Sequence, residues 1–319
     1  MLGIEIGNFN TKLLVGEKKN KFFGKRLMIN TPSNVITNGK IIDINSLADV
    51  INETLKRNNI KEKQVCFTIS SSNNIIRDLE LPLMKEDEVE KALYYEIEQY
   101  ILDTENYVID YRYLPNIAEK NKTIRVLIAS SPKDIIEKYV KLAEMLKLKV
   151  EAIDIYSNSI YKACKKVNLA EGIVAVVDIG AAVTNVTVID SGIYIFSRSI
   201  EFGGNRITQI IANAFNIDFQ AAEEYKRAKK FIGEENYKDI EDTILLSFSE
   251  VFQQLSRIFD FYYATYHKNI QKIIMLGGTS KLLGLREYVE NYFRIPTFVT
   301  EAEDYLYFLP VYGCILRGE

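Results

Sequence analysis

The sequence predicts an α/β protein whose two similar halves face one another across a cleft, with a smaller α/β unit inserted in the first half. Two observations carry this reading. Residues 3–15 read G-I-E-I-G-N-F-N-T-K-L-L-V and residues 176–188 read V-V-D-I-G-A-A-V-T-N-V-T-V. At an offset of 173 positions, Glu5 falls on Asp178, Gly7 on Gly180, Thr11 on Thr184 and Val15 on Val188. Between the two copies, from about residue 78 to 154, lies a stretch of different character, first acidic and then amphipathic.

Each copy is a short apolar strand carrying one acid, a turn opened by glycine, and a second apolar strand. The apolar flanks bury, and the carboxylate is left at the strand end beside a turn whose backbone N–H groups can face an anion. In the first half this predicts strands at residues 2–6, 12–17 and 22–29. A helix near 45–58 follows, with capping groups from Asp43 to Ser46 and stop residues Asn58 and Asn59. Residues 64–70, rich in β-branched and aromatic side chains, read as a further strand.

The inserted segment opens after Leu81-Pro82. Val89, Ala92, Leu93, Ile97, Tyr100 and Ile101 fall on one face of a helix over 85–102. Strands at 107–114 and 123–130 come next, joined by the polar loop 116–122. A helix opened by Ser131-Pro132 runs to about Leu146, and a strand covers 149–154. The second half restarts with strand, hairpin and strand over 173–200, then Gly203-Gly204-Asn205 entering a helix, and helices near 218–229 and 240–266. The strand 272–276 runs into Gly277-Gly278-Thr279-Ser280 and a helix to about Phe293, and the last element, 311–317, is short.

Composition narrows the function classes. A chain of 319 residues suits about two domains. Its net charge of −3 carries no electrostatic footprint for nucleic acid. Cys66, Cys164 and Cys314 are widely spaced in apolar contexts and read as reduced core residues, not a disulfide frame or a metal site. His267 is the single histidine and has no ligand set around it. The chain opens directly on its first strand, and no run reaches the ~18 apolar residues of a membrane helix. The expectation is an intracellular protein, with any membrane association borrowed from a partner.

Several clusters can carry chemistry. Gly7 permits close backbone approach, and Asn8, Phe9 and Asn10 make the turn. Lys12 stands seven residues after Glu5 and can supply a point charge to phosphate oxygens; a solvent-facing lysine is the ordinary alternative. In the second copy, Ala181 and Ala182 keep the turn after Gly180 uncluttered, and the Thr184 hydroxyl can donate. Glu5 and Asp178 suit a Mg²⁺ held mainly through its waters, or cap their turns. Gly203 and Gly204 precede a helix whose N–H groups can meet a phosphate. Glu223, Lys226 and Arg227 lie within one helical turn, suited to a ribose or to solvent. Gly277 and Gly278, between an apolar strand and a helix, let a flat base slide against backbone.

The series E-I-G, D-I-G-A-A-V-T, G-G-N, E-x-x-K-R and L-G-G-T-S, in that order, resembles the actin-like ATPase superfamily, and within it the FtsA/PilM branch. The resemblance implies an actin-like ATPase fold, two ribonuclease-H-like domains around a nucleotide cleft. It implies phosphate contacts at Gly7, Asn8, Phe9, Asn10, Lys12, Gly180, Ala181, Ala182, Thr184, Gly203 and Gly204. Adenosine contacts would fall at Glu223, Lys226, Arg227, Gly277, Gly278, Thr279, Ser280 and Leu282, with Mg²⁺ reached through water from Glu5 and Asp178. Within the insert, Y-E-I-E-Q-Y-I at 95–101 and V-I-D-Y-R-Y-L at 108–114 resemble the PilM family of type IV pilus assembly proteins, as do Leu81-Pro82 and V-E-A-I-D at 150–154. That family implies an ATP-binding cytoplasmic adaptor of the inner-membrane pilus platform. Its groove, at the first domain and its insert, takes the N-terminal cytoplasmic peptide of a PilN-like membrane protein; pilus motor ATPases are further partners. The implied division is 1–78 and 154–171, with 311–319, as the first domain; 79–153 as the insert; and 172–310 as the second domain, with 205–270 its helical subdomain.

Three features depart from the family pattern. Glu5 stands where Asp is usual, Leu102-Asp103 replaces a Pro-Phe continuation, and no Gln or Glu suited to orienting an attacking water stands near 154–158. Slow hydrolysis at most is therefore expected, with nucleotide acting as a conformational ligand. An FtsA-like filament protein and a sugar or acid kinase of the same superfamily are the alternatives. The first calls for a membrane-binding tail, and nothing beyond Gly318 and Glu319 follows the last element. The second calls for a general base that does not stand out.

Overall fold

The structure, a computed structural model, describes residues 1–16, 24–101, 103–115 and 123–316. Two five-stranded sheets share one topology. In the first, Leu2–Ile6 lies between Asn10–Val15 and Gln64–Ile69, with Arg26–Asn30 and Lys149–Ile155 at the edges. In the second, Ile173–Ile179 lies between Thr184–Asp190 and Lys272–Leu276, with Ile193–Ile200 and Thr297–Val299 at the edges. Each sheet thus joins an antiparallel meander to two parallel strands. The duplicated motif read in the sequence is the central hairpin of each sheet.

Most predicted elements form close to their expected bounds. Helix Ile44–Arg57 begins where Asp43 accepts hydrogen bonds from the N–H groups of Asn45 and Ser46, leaving fewer helix-end donors unpaired. The strands expected at 12–17 and 22–29 appear as Asn10–Val15 and Arg26–Asn30; Glu17 and Phe22 fall outside the described residues, as do the loop 116–122, Leu102 and residues 317–319.

The insert has its own small core. Strands Ile75–Pro82, Thr123–Pro132 and Tyr107–Leu114 form an antiparallel sheet, in that spatial order. Helix Glu86–Glu98 covers it, burying Val89, Leu93 and Ile97 against Leu81, Val126 and Ile128, with Ile101 just beyond the helix in the same cluster. Arg125 fastens this sheet to the second half: buried, it pairs with Asp78 and donates to the Tyr194 carbonyl at 2.8 Å.

Residues 133–153, grouped above with the insert, build the first sheet instead. Helix Lys133–Met145 buries Ile135, Tyr139 and Leu142 in that sheet's core, and Lys149–Ile155 pairs in parallel with Gln64–Ile69. The last element is longer than the sequence suggested, a helix from Glu303 to Ile315. It packs with helix Tyr156–Lys166 in a layer that touches both sheets, through Leu14 and Cys66 on one side and Val174, Val176 and Leu276 on the other. The three cysteines are free and buried, and His267 ends the helix Lys238–Tyr266 in a left-handed conformation, exposed. No helix among the described residues is long and apolar enough to cross a membrane.

Candidate functional site: a cleft between twin hairpins

The helical layer holds the sheets apart, so the ends of their central strands open onto a shared cavity of about 420 Å³. That volume lies in the ordinary range of small-molecule sites. The two hairpin turns that enter it are closed alike. The Gly7 N–H donates to the Asn10 carbonyl at 3.1 Å, and the Gly180 N–H donates to the Val183 carbonyl at 3.0 Å. Asn8, Phe9 and Asn10 on one side and Ala181, Ala182 and Val183 on the other line the space between.

The pairing partners of the two acids differ. Glu5 lies opposite Lys12 on the neighbouring strand, whereas Asp178 lies opposite Asn185. Lys12 Nζ donates to Glu5 Oε1 at 2.8 Å, which leaves Glu5 Oε2 buried with no hydrogen-bond partner. Asp178 accepts a 2.6 Å hydrogen bond from the Tyr156 hydroxyl. Burial lifts both carboxyls above their ordinary range; the charge of Asp178 adds to this at Glu5, and Lys12 opposes it at both. The Lys12 ammonium is pulled down by burial, but Glu5 and Asp178 outweigh that and hold it above its usual range. One cation therefore serves two acids from opposite halves, and such a group is positioned to receive the charge of a polyphosphate or a metal.

The far wall comes from the second half. Lys226 Nζ donates to Glu223 Oε2 (2.6 Å), Thr208 Oγ1 (2.8 Å) and the Gly204 carbonyl (3.1 Å). Arg227 Nε donates to Glu223 Oε1 at 3.0 Å, and its guanidinium lies 5.1 Å from the centre of the Phe9 ring across the cleft. Burial raises the Glu223 carboxyl, but bonds from Lys226, Thr208 and Arg227 outweigh it and hold the group ionised below its usual range. Gly277 has φ +79°, and a Cβ there would stand 2.3 Å from Asp178 Oδ1, so glycine is what lets this turn pass the acid. Thr279 Oγ1 donates to the Gly180 carbonyl at 2.9 Å and ties this turn to the second hairpin.

Of the residues singled out in the sequence, Glu5, Gly7, Asn8, Phe9, Asn10, Lys12, Asp178, Gly180, Ala181, Ala182, Glu223, Lys226, Arg227, Gly277, Gly278, Thr279 and Leu282 line this one cavity. Four stand behind it. Thr184 spends its hydroxyl on the Phe202 carbonyl and Ser280 on that of Gly277. The Gly203-Gly204 turn meets carbonyls where an anion was expected: the Gly204 N–H donates to Gly180 O at 2.9 Å and the Asn205 N–H to Ala181 O at 2.8 Å. A Cβ on Gly203 would lie 2.4 Å from the Ala181 backbone. These glycines position the second turn by close approach. Sequence reading overlooked Tyr156, Asn185 and Tyr307, which also line the cleft. Tyr156 follows a strand that finishes at the same end of the sheet as Glu5, a signal available only once the strand order is known. Asp154, nearby, is engaged elsewhere: Asn158 Nδ2 (2.8 Å), Ser159 Oγ (2.9 Å) and Lys162 Nζ (2.8 Å) all bond it.

A second cavity, of about 350 Å³, lies between the insert and the first sheet. Its walls are two sheet edges, Tyr107–Leu114 and Lys149–Ile155, with Ile136 from the helix between them. Among its lining residues, Asn74 Oδ1, Arg112 Nε, Ser130 Oγ, Ser131 Oγ and Asn158 Oδ1 are buried without hydrogen-bond partners.

Comparison with known proteins identifies the family and the fold. The sequence matches the family "Type IV pilus assembly protein PilM" over residues 3–308, and the chain belongs to that family. Its fold is that of the actin-like ATPases. The PilM-PilN type IV pilus biogenesis complex contains a chain similar to it with a TM-score of 0.83 at 24% identity, over 98% of this chain and 95% of that one. The ethanolamine utilization protein EutJ from Carboxydothermus hydrogenoformans is similar with a TM-score of 0.61 at 15% identity, over 99% and 89%. MreB 5 of Spiroplasma citri bound to AMPPNP is similar with a TM-score of 0.60 at 14% identity, over 98% and 93%.

Proposed function

We propose that this member of the PilM family is a nucleotide-binding adaptor of the type IV pilus assembly platform, with ATP and Mg²⁺ in the cleft and a PilN-like peptide in the groove. The observation that carries the reading is the pair of equivalent hairpin turns facing one cavity with an acid behind each. Gly7 to Asn10 and Gly180 to Ala182 would hold the phosphates with Lys12, and Glu223, Lys226, Arg227, Gly277 and Gly278 would hold the adenosine. The buried, unpartnered Glu5 Oε2 and the neighbouring Asp178 are oxygen donors of the kind a hydrated Mg²⁺ takes. When bound, that ion would neutralise phosphate charge; the solved MreB 5 that shares this fold holds AMPPNP.

Hydrolysis would be weak. Phosphoryl transfer needs a group that orients water, and the acid nearest the relevant strand end, Asp154, is held by Asn158, Ser159 and Lys162. Tyr156 takes the cleft-facing position beside it and spends its hydroxyl on Asp178.

The groove suits an extended segment, because both strands flanking it are sheet edges with backbone groups open to pairing. The occupant would be the short N-terminal cytoplasmic peptide of a PilN-like membrane protein, which would bring the adaptor to the inner face of the membrane and into reach of the pilus motor ATPases. A pull-down tests this: immobilised synthetic PilN-type N-terminal peptide should retain the ATP-loaded protein. No retention in any nucleotide state would remove the partner assignment.

A further inference from the structure

Between the cleft and the groove lies a third cavity, of about 10 Å³, room for one water molecule. It shares Ser70, Tyr156 and Asn185 with the cleft, and Ile69 and Asn74 with the groove. The three spaces therefore stand in a row with common walls. The small one is polar: Thr187 Oγ1 and Asn74 Oδ1 are buried without hydrogen-bond partners, and Ser157 lines the same space. A hydroxyl and an amide oxygen on residues that line one water-sized space are groups of the kind a bound water pairs with.

The chain itself joins the outer two sites at this point. Ile153, Asp154, Ile155 and Asn158 line the groove, while Tyr156, in the middle of the same run, lines the cleft and bonds Asp178. This run is where strand Lys149–Ile155 turns into helix Tyr156–Lys166. Tyr156 on the cleft and Asn158 on the groove are thus two residues apart, and Ser157 between them borders the small cavity.

We propose that the small cavity, with Thr187 and Ser157 on its wall, couples the two sites, so that nucleotide in the cleft and peptide in the groove alter one another's affinity. The inference rests on the function proposed above and adds the route by which one site regulates the other. Coupling of this kind is reciprocal: whatever factor nucleotide applies to peptide affinity, peptide applies to nucleotide affinity. Thr187 and Ser157 act by positioning, since neither lines the cleft or the groove.

The test is a pair of calorimetric titrations, of Mg-ATP into the full chain with and without saturating synthetic PilN-type peptide. The wild-type chain is expected to show a change of about fivefold or more in nucleotide affinity. Thr187→Val keeps the volume and removes a hydroxyl that has no protein partner, so the variant should fold and bind each ligand alone within about twofold of wild type. Its coupling factor should fall to about one, and Ser157→Ala should reduce the factor in the same direction. A wild-type factor of one, or full coupling retained in both variants, overturns the route while leaving the proposed function standing. Failure of the wild-type chain to bind Mg-ATP or the peptide at all overturns both.

Discussion

Tyr156, the first residue of a helix from the first half, donates a 2.6 Å hydrogen bond to Asp178 at the end of the second half's central strand. Both residues are buried, and the bond is a direct tie between the halves at the floor of the cleft. Burial, the charge of Asp178 and this bond hold the Tyr156 hydroxyl protonated far above its ordinary range, so it is a permanent donor.

Tyr156→Phe removes the donor and leaves a buried carboxylate oxygen short of one partner. The expected loss is about 1.5–3 kcal/mol, the usual worth of a hydrogen bond to a charged group. Urea denaturation of the nucleotide-free protein measures it. An unchanged midpoint would show that the tie contributes nothing to closure.

The pairing of Lys12 with Glu5 calls for a double-mutant comparison. Lys12→Met strands a buried carboxylate, and breaking a buried pair from one side costs about 3–5 kcal/mol. Adding Glu5→Gln should restore most of that stability. Nucleotide affinity should stay at least about tenfold down in both variants, because the phosphate-facing ammonium is gone. Recovery of affinity along with stability would contradict a direct role for Lys12.

Asp178 yields a prediction with a sign. Its folded-state pKa is raised, chiefly by burial, from an unfolded value of 3.8. The folded protein therefore holds this proton more tightly than the unfolded chain does. The stability that follows is complete below pH 3.8 and is lost as pH rises through the raised value. Asp178→Asn removes that loss, so the nucleotide-free variant should melt higher than wild type at neutral pH. The two should converge below about pH 3, where the wild-type group is protonated in both states. Magnesium-dependent nucleotide uptake should fall in the same variant. Thermal melts across this pH range check it, and a variant less stable than wild type at pH 7 would reverse the argument.

Arg125, paired with Asp78 inside the insert's sheet, anchors the insert to the second half through the Tyr194 carbonyl. Arg125→Met should cost about 3 kcal/mol by leaving Asp78 without its cation. Amide exchange should then rise in the strand Ile75–Pro82 and in its neighbour Ile193–Ile200 before it rises in the sheet cores. Uniform exchange throughout would show that the insert is held by its other contacts.

The duplicated hairpins were legible because an acid, a glycine and a threonine at fixed spacing leave a repeat that survives divergence of the residues between them. The insert helix was legible from Val89, Leu93 and Ile97, which alternate with charges at helical spacing. The closing helix was not. Residues 303–315 are apolar on nearly every side because both sheets cover them, and Pro310 lies within the helix, so neither amphipathic period nor composition announced it. Residues 133–153 were placed with the insert because chain order does not say which sheet a parallel strand joins. The Gly203-Gly204 turn looked like an anion site; its donors proved to be taken by the carbonyls of Gly180 and Ala181, a contact between segments that no local pattern reveals. Tyr156 escaped notice for the same reason, since its partner lies 22 residues away in the other half.

The central claim is that two equivalent turns close on one nucleotide. Isothermal titration of ATP with magnesium into the full chain, run beside Lys12→Met, tests it most directly. Saturable one-to-one uptake by the wild-type protein, reduced at least about tenfold in the variant, is the predicted result. No heat of adenylate binding, or equal uptake by both proteins, would contradict it.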